Sequence, residues 1–197
     1  MESISGKKSY TKYPYKISLK QIIYPILALL VTGCGNNERQ LINRLYLKNI
    51  DFDGLYVVCD STFKSYTPNS KIKIVSYIDS LMCDNCLCQD ICMASRFLKP
   101  YQDKNVEFVF ILQKPPTRLI HEVVSELNNP NIVVIVDDNG VFIKTNHLQT
   151  YPQWSLTFLL SEDNKIAIIG NPAKNTKVHS LYNKRIQLLT KNPKPNN

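Results

Sequence analysis

The chain has 197 residues, of which 44% are hydrophobic and 10% aromatic, so it is long and apolar enough for one globular domain preceded by a leader. Its formal net charge is +8, but residues 1–33 hold +4 of this, because they contain five lysines and one glutamate. The remaining +4 is scattered along the chain, which argues against a nucleic-acid-binding face.

Residues 1–33 are predicted to be an export signal. A basic region that ends at Lys20 precedes an apolar run over residues 22–31, which is too short to span ~30 Å of hydrocarbon but matches the apolar region of a signal peptide. The run ends in Val-Thr-Gly-Cys34, and small residues before a cysteine resemble the lipobox of bacterial lipoproteins. This resemblance implies that Cys34 becomes the mature N-terminus and carries the lipid anchor. A plain signal peptide and a buried helix are the alternatives, and the long basic region leaves open a start downstream of Met1.

Residues 34–70 are predicted to be an anchor, a linker and an N-terminal extension. A short helix is expected over residues 38–47, because Leu41, Ile42 and Leu45 recur at helical spacing. A strand is expected over residues 55–59 and a turn over residues 67–70.

Four of the six cysteines lie within residues 83–92, where a predicted strand gives way to a predicted helix. The strand covers residues 71–79 and is rich in β-branched and aromatic residues. Cys83 and Cys86 form a Cys-x-x-Cys pair at the start of the helix, where free backbone N–H groups and the helix dipole favour a thiolate. Because the thiolate is the attacking species in disulfide exchange, we interpret Cys83 as the nucleophile and Cys86 as the resolving thiol. The carboxylate of Asp84 opposes this effect, since it disfavours a thiolate beside it.

The same cysteines allow a metal site as the alternative. Cys83, Cys86, Cys88 and Cys92 could hold zinc, copper or a cluster, although the spacing is one residue short of the bacterial cluster motif and its proline is missing. Cys88 and Cys92 are four residues apart on the helix, with an expected Cβ separation of ~5–6 Å. This is too far for a relaxed disulfide, so we interpret them as small apolar residues near the core.

The elements after the cysteines can be predicted from hydrophobic periodicity and turn residues. In chain order they are a helix that ends before Pro100, a strand over 106–112, a helix capped by Thr117, a strand over 132–136, a turn over 137–140, a loose stretch to Gln153, a hairpin of strands 155–160 and 165–169, and a helix over 178–189.

This order, with the cysteine pair after the first strand, resembles the thioredoxin fold. It is more similar still to the membrane-anchored thioredoxin-like proteins of bacterial envelopes, which insert a helix and a strand before the final hairpin. The resemblance covers residues 71 to about 190, and its most specific parts are Tyr77-Ile78-Asp79-Ser80 before Cys83-Asp84-Asn85-Cys86 and Thr157-Phe158-Leu159-Leu160-Ser161-Glu162-Asp163-Asn164-Lys165-Ile166 before Gly170-Asn171-Pro172. It implies an α/β thioredoxin-like fold with a central helix–strand insert and a short N-terminal extension.

Two positions depart from the thioredoxin pattern. Met82 stands where thioredoxins carry a tryptophan, and Leu156 stands where they carry a cis-proline that shapes the groove for partner chains. The bond before Leu156 is expected to be trans, because a non-proline cis bond costs ~2.5–4 kcal/mol. Asp79, four residues before Cys83, is a candidate proton relay; its alternative role is to cap the end of the strand. Trp154 is expected either on the partner-facing surface or in the core, and the three histidines are expected at the surface (His121, His147 and His179).

Together these features predict a lipid-anchored thiol–disulfide oxidoreductase of the bacterial cell envelope, facing the periplasm or the outside. Its expected partners are a disulfide-containing protein substrate, an electron-donor protein and the membrane, with no small cofactor and no nucleic acid. The expected organisation is a signal peptide over 1–33, an anchor and extension over 34–70, a thioredoxin-like domain over 71–190 and a disordered tail over 191–197. The alternatives are a metal-binding or metal-delivery module that uses the same cysteines, and a structural lipoprotein that has lost the redox chemistry.

Overall fold

A computed structural model describes residues 37–59, 62–66, 68, 72–137 and 139–191, with only the backbone described at 57–59, 62–65 and 191. The predicted signal peptide, the lipid-anchor candidate Cys34 and residues 192–197 of the predicted tail lie outside these residues. Lys191, the first residue of that predicted tail, instead ends the last helix. The chain divides into two units after Gln40, and all the strands given below belong to the second unit, residues Leu41–Asn197. None of the helices in the described residues combines the length and the apolar character needed to cross a membrane.

The described residues contain seven strands in one mixed sheet. The strands are β1 (Tyr56–Cys59), β2 (Thr62–Ser65), β3 (Ile72–Ile78), β4 (Val106–Leu112), β5 (Ile132–Val136), β6 (Thr157–Leu160) and β7 (Ile166–Ile169). Their order across the sheet is β2-β1-β5-β4-β3-β6-β7, in which β3, β4 and β5 are parallel and the other pairs are antiparallel. The strand that leads to the cysteines, β3, is therefore internal, and all seven of its residues are buried.

Helices cover both faces of this sheet. They are residues 41–45 of α1 (helical over residues 37–45), α2 (Asp84–Leu98), α3 (Arg118–Leu127), α4 (Val141–Thr145) and α5 (Thr176–Lys191), with 3-10 turns at Lys99–Tyr101 and Gln153–Ser155. One apolar core joins Ile74 and Ile78 of β3 to α2, α3 and α5. The other joins Val75 and Tyr77 of β3 to Phe142 of α4 and to the segment before β1. The alternation of side chains along a strand thus assigns successive β3 residues to two different cores.

The predicted helix after the cysteines and the strands over 106–112 and 132–136 are confirmed. The prediction of a loose stretch up to Gln153 is wrong in part, because this stretch contains the short helix α4. The carboxylate of Asp137 accepts hydrogen bonds from the backbone N–H groups of Val141 (2.6 Å) and Phe142 (3.2 Å), which stabilises this short helix.

Three other element predictions need correction. The first hairpin strand begins at Thr157 rather than at residue 155, because Ser155 belongs to a 3-10 turn. Strand β2 had not been expected at all; it pairs in antiparallel register with β1. Thr117 does precede α3, but its side chain makes no capping hydrogen bond.

Tyr77→Phe should stabilise the protein. The Tyr77 side chain is buried and its hydroxyl has no hydrogen-bond partner among the described residues, so removing the hydroxyl should raise the free energy of unfolding by about 1 kcal/mol. Burial, with added repulsion from Asp137 and Asp79, raises the pKa of Tyr77 to about 12. A raised pKa in the folded state stabilises the fold fully below pH 10, and this contribution is lost as the pH rises through about 12.

Urea unfolding at pH 7 and above pH 10 measures both effects. Tyr77→Phe should be more stable than wild type at pH 7 and should lose less stability at alkaline pH. Tyr182→Phe is the matched control, because its hydroxyl donates a 2.8 Å hydrogen bond to the Gly170 carbonyl, and its removal should cost about 1 kcal/mol. Equal destabilisation by the two variants would contradict the prediction.

Candidate functional site

The predicted redox pair forms a disulfide at the start of α2. Cys83 is the N-cap residue, in an extended conformation, and Cys86 lies in the first turn. The two residues are bonded to each other, with a Cα–Cα distance of 5.3 Å, and both are exposed. The pair therefore lies at the protein surface, where a second polypeptide can approach it.

Backbone N–H groups converge on Cys83 as the position at a helix start predicts. The Cys83 carbonyl accepts the first helical hydrogen bond, from Leu87, at 3.0 Å. The Cys83 sulfur accepts the N–H of Cys86 at 3.2 Å. An N-cap sulfur that accepts a backbone N–H, at the positive end of the helix dipole, is stabilised as a thiolate when the disulfide is reduced.

Asp79 directly follows β3 and shapes the loop that leads to Cys83. Its carboxylate accepts the Leu81 N–H at 3.0 Å, and its backbone carbonyl accepts the Met82 N–H at 3.5 Å. The Ser80 N–H donates to the side chain of Gln113 at 3.1 Å. These contacts fix the turn between β3 and α2, so Asp79 has at least the capping role that the sequence allowed.

Lys114 provides a cation that sequence reasoning had missed. It follows β4, and its ammonium lies 3.3 Å from Oδ1 of Asp84 and 3.4 Å from the carbonyl oxygen of Met82. It therefore contacts the residues on both sides of Cys83. The Asp84 oxygen makes an ion pair with Lys114 but no hydrogen bond. The positive charge of Lys114 offsets the negative charge of Asp84, which otherwise disfavours a thiolate at Cys83.

Lys114→Met should slow alkylation of reduced Cys83 by iodoacetamide at pH 7 by about 1.4-fold to fivefold, which corresponds to the ~0.2–1 kcal/mol of a partly exposed ion pair. Asp84→Asn should accelerate it by a similar factor, and the double variant should react at a rate close to that of wild type. Lys104→Met removes an exposed lysine that lies over the Tyr101 ring, and it serves as the control. If the Lys104 and Lys114 variants react equally fast, the Lys114 charge has no role at Cys83.

A groove of about 590 Å³ opens beside Met82, the residue that precedes Cys83. Its walls also include Trp154, which is 49% exposed and so is not a core residue. The Ser155–Leu156 peptide is trans, as predicted, since the described residues contain no cis bond. The Leu156 carbonyl accepts the Tyr77 N–H at 2.9 Å, which holds this loop against the end of β3.

The groove also contains an ion pair between a buried carboxylate and a half-exposed ammonium group. Asp90 of α2 has a side chain that is 6% exposed, and it bonds to the ammonium of Lys174 at 2.8 Å. One feature of the sequence indicates that Asp90 has a buried partner. Asp90 interrupts an otherwise apolar helix face that includes Leu87, Ile91 and Ala94. Its partner is 84 residues away in the chain.

The other candidate ligands do not assemble into a metal centre in the described residues. No three His, Cys, Asp or Glu side chains in the described part of the chain converge as metal ligands. Cys88 is buried and Cys92 half-buried, and both are free thiols; burial, with smaller contributions from Cys92 and Asp84, raises the pKa of Cys88. The side chain of Cys59 lies outside the described residues. Two of the four cysteines of the predicted metal site, Cys83 and Cys86, are bonded to each other here. A metal site formed by all four after reduction stays a prediction.

The histidines divide between surface and packing. His121 and His147 are exposed, as predicted. His179 is not simply a surface residue, because its ring packs edge-on against Phe97 with centroids 5.0 Å apart.

At the level of sequence, neither a protein-family model nor a curated protein matches this chain. Solved structures do match it. The thioredoxin domain of a thiol-disulfide oxidoreductase from Bacteroides vulgatus has a TM-score of 0.50 and 12% identity, over 72% of this chain and 99% of that one. A protein from Chlorobium tepidum, provisionally named thiol:disulfide interchange protein DsbE, has a TM-score of 0.50 and 12% identity, over 73% of this chain and 99% of that one.

The fold is thioredoxin-like. A provisionally named electron transfer protein from Aquifex aeolicus also matches, with a TM-score of 0.51 and 14% identity, over 72% of this chain and 97% of that one. At these identities the likeness concerns the fold. The predicted fold class is thereby confirmed, with α3 and β5 as the helix–strand insert.

Proposed function

We propose that the protein is a thiol–disulfide oxidoreductase whose redox centre is the Cys83–Cys86 pair. The observation that carries this proposal is the exposed disulfide at the N-terminus of α2, in a thioredoxin-like fold. Two of the matched folds belong to proteins named for thiol–disulfide chemistry, which supports the same reaction class.

The reaction exchanges two electrons between two cysteine pairs. In the reductive direction the Cys83 thiolate attacks a disulfide of the partner protein, forms a mixed disulfide and releases one partner thiolate, which takes up a proton. The Cys86 thiol loses its proton and attacks Cys83 in the mixed disulfide. This step releases the second partner thiol and restores the Cys83–Cys86 disulfide seen here. An electron-donor protein then reduces the pair by the same exchange, so no small cofactor is needed.

Asp79 is proposed to assist the proton transfers. Its position between the end of β3 and the loop to Cys83 supports this role, although its carboxylate already accepts the Leu81 N–H. Asp79→Asn separates the two functions, because the amide keeps an acceptor for that N–H but cannot transfer a proton. If Asp79 relays protons, Asp79→Asn slows turnover and changes its pH profile; if it only caps the strand, both stay unchanged.

The proposed setting is the bacterial cell envelope. The support is the signal-like segment over residues 1–33 and the lipobox-like residues before Cys34, which is proposed as the lipid anchor. An oxidising space outside the cytoplasm suits a disulfide exchange protein. The proposed partners there are a disulfide-containing substrate protein, an electron-donor protein and the membrane.

Reduction of insulin by dithiothreitol tests the proposal. The protein should accelerate the precipitation of the reduced insulin B chain, and Cys83→Ser should leave only the uncatalysed rate. Cys92→Ser, which changes a free and half-buried thiol in the same helix, should keep the activity. If wild type is no faster than Cys83→Ser, the pair is redox-inactive toward proteins, and the metal or structural function replaces this proposal.

A further inference from the structure

Helix α2 carries two thiols that the proposed reaction does not use. Cys88 and Cys92 are both free and lie one helical turn apart. They line one surface depression of about 630 Å³, together with Met93, Arg96 and the amide side chains of Asn85 and Gln89. Two sulfhydryl groups and a thioether thus border the same open space.

The helical spacing prevents these thiols from forming a disulfide but allows an ion between them. Residues four apart on a helix have Cβ atoms ~5–6 Å apart, whereas a disulfide needs a Cβ separation of ~3.5–4.5 Å. A metal ion with sulfur bonds of ~2.3 Å on opposite sides holds two sulfur atoms up to ~4.6 Å apart. Side-chain rotation of two cysteines on one helix face can supply that distance.

The residues around the depression select the kind of ion. Structural zinc takes four ligands from cysteine, histidine and carboxylate side chains, but none of the described residues that line this depression is a histidine, an aspartate or a glutamate. Soft thiolate and thioether ligands select Cu(I), zinc and iron–sulfur clusters, and of these Cu(I) is the ion that two or three such ligands satisfy. We propose that Cys88 and Cys92 form a dithiolate site for Cu(I), with the Met93 thioether at its edge.

The charges at this site balance without any redox step. Each thiol releases its proton to the solvent when its sulfur binds, copper stays in the +1 state, and the complex carries a net charge of −1. The guanidinium of Arg96 borders the same depression and offsets that charge. The sulfurs of Cys83 and Cys86 are bonded to each other, so the Cu(I) site is complete while the redox pair is oxidised.

Competition with bicinchoninate tests the site in the full chain with the Cys83–Cys86 disulfide intact. Cu(I), kept reduced by ascorbate without oxygen, should pass from the coloured chelate to the wild-type protein in an amount of one ion per chain. Cys88→Ser and Cys92→Ser should each lose this transfer. Cys34→Ser, Cys59→Ser and the double variant Cys83→Ser/Cys86→Ser should keep it.

Cys92→Ala is the second variant at the site, because it removes the ligand without adding a hydroxyl to a half-buried position. Thermal unfolding midpoints show whether Cys92→Ser and Cys92→Ala are folded. A variant that folds is then compared with wild type. The proposal is overturned if that variant withdraws as much Cu(I) as wild type. It is also overturned if the transfer disappears in Cys34→Ser or Cys59→Ser, or if Zn²⁺ alone occupies the site as tightly as Cu(I). Each outcome is independent of the redox activity of Cys83 and Cys86.

Discussion

In Cys86→Ser, the protein is expected to accumulate as a mixed disulfide with its protein substrate. Cys83 can still attack a partner disulfide, because it is an exposed residue and keeps its N-cap position and the backbone N–H groups around it. The resolving thiol is absent, so the mixed disulfide should persist for minutes to hours, the time of uncatalysed disulfide rearrangement. Non-reducing gel electrophoresis with mass spectrometry of the conjugate measures both the amount and the cysteine involved.

Cys83→Ser is the matched control for this experiment. It should form no conjugate, because Cys86 lies within the first turn of α2 and not at the N-cap position, where a thiolate is stabilised. If Cys83→Ser traps substrate and Cys86→Ser does not, the roles of nucleophile and resolving thiol are reversed. If neither traps substrate and wild type forms no conjugate on mild oxidation, the pair does not exchange with proteins.

Phe142→Ala should have the largest effect on stability among the substitutions considered. Phe142 is 1% exposed, and its ring is stacked on Tyr77 with centroids 6.0 Å apart and lies 5.9 Å from Phe52. Removal of a buried phenyl ring costs about 3–5 kcal/mol, because the cavity closes only in part. The thermal midpoint should fall by about 10 °C for a chain of this size.

Val141→Ala is the control in the same short helix. Val141 is exposed, so its truncation should change the free energy of unfolding by less than about 0.5 kcal/mol. Similar losses in both variants would indicate that α4 is stabilised by its own sequence rather than by the contact of Phe142 with β3. Activity measured below the unfolding transition should stay the same, because Phe142 packs in the core opposite to α2.

The elements with a strong local pattern could be predicted from the sequence. The β-branched run before Cys83 and the apolar spacing after Cys86 determine a buried strand followed by a helix, and both are present as β3 and α2. The placement of the cysteine pair at the helix start followed from these two patterns alone. The trans bond before Leu156 followed from the cost of a non-proline cis peptide.

The elements that had not been predicted depend on contacts between distant residues. Strand β2 is defined by its pairing with β1, and four residues carry too little periodicity to reveal it. Helix α4 has five residues; its periodicity is equally weak, and it depends on the Asp137 carboxylate and on the burial of Phe142 against Tyr77. Both cases show tertiary contacts that override weak local preference.

The charged residues around the site had been missed for a related reason. Lys114 is 30 residues from Asp84, and only the parallel pairing of β3 with β4 brings the end of β4 beside the start of α2. Lys174 reaches Asp90 across an even longer stretch of chain. A lysine in a loop has no sequence feature that identifies such a partner, whereas an aspartate on an apolar helix face does.

A redox titration of Cys83 and Cys86 shows whether the two cysteines form a reversible redox couple. The protein is equilibrated in buffers with defined ratios of reduced to oxidised dithiothreitol. Free thiols are then trapped by alkylation, and the state of each cysteine is determined by mass spectrometry. We expect the two residues to change together, in one reversible two-electron transition between the dithiol and the disulfide, with Cys88 and Cys92 alkylated at every ratio after denaturation. Persistence of free Cys83 and Cys86 thiols under oxidising conditions, or pairing of either one with another cysteine, would contradict the account.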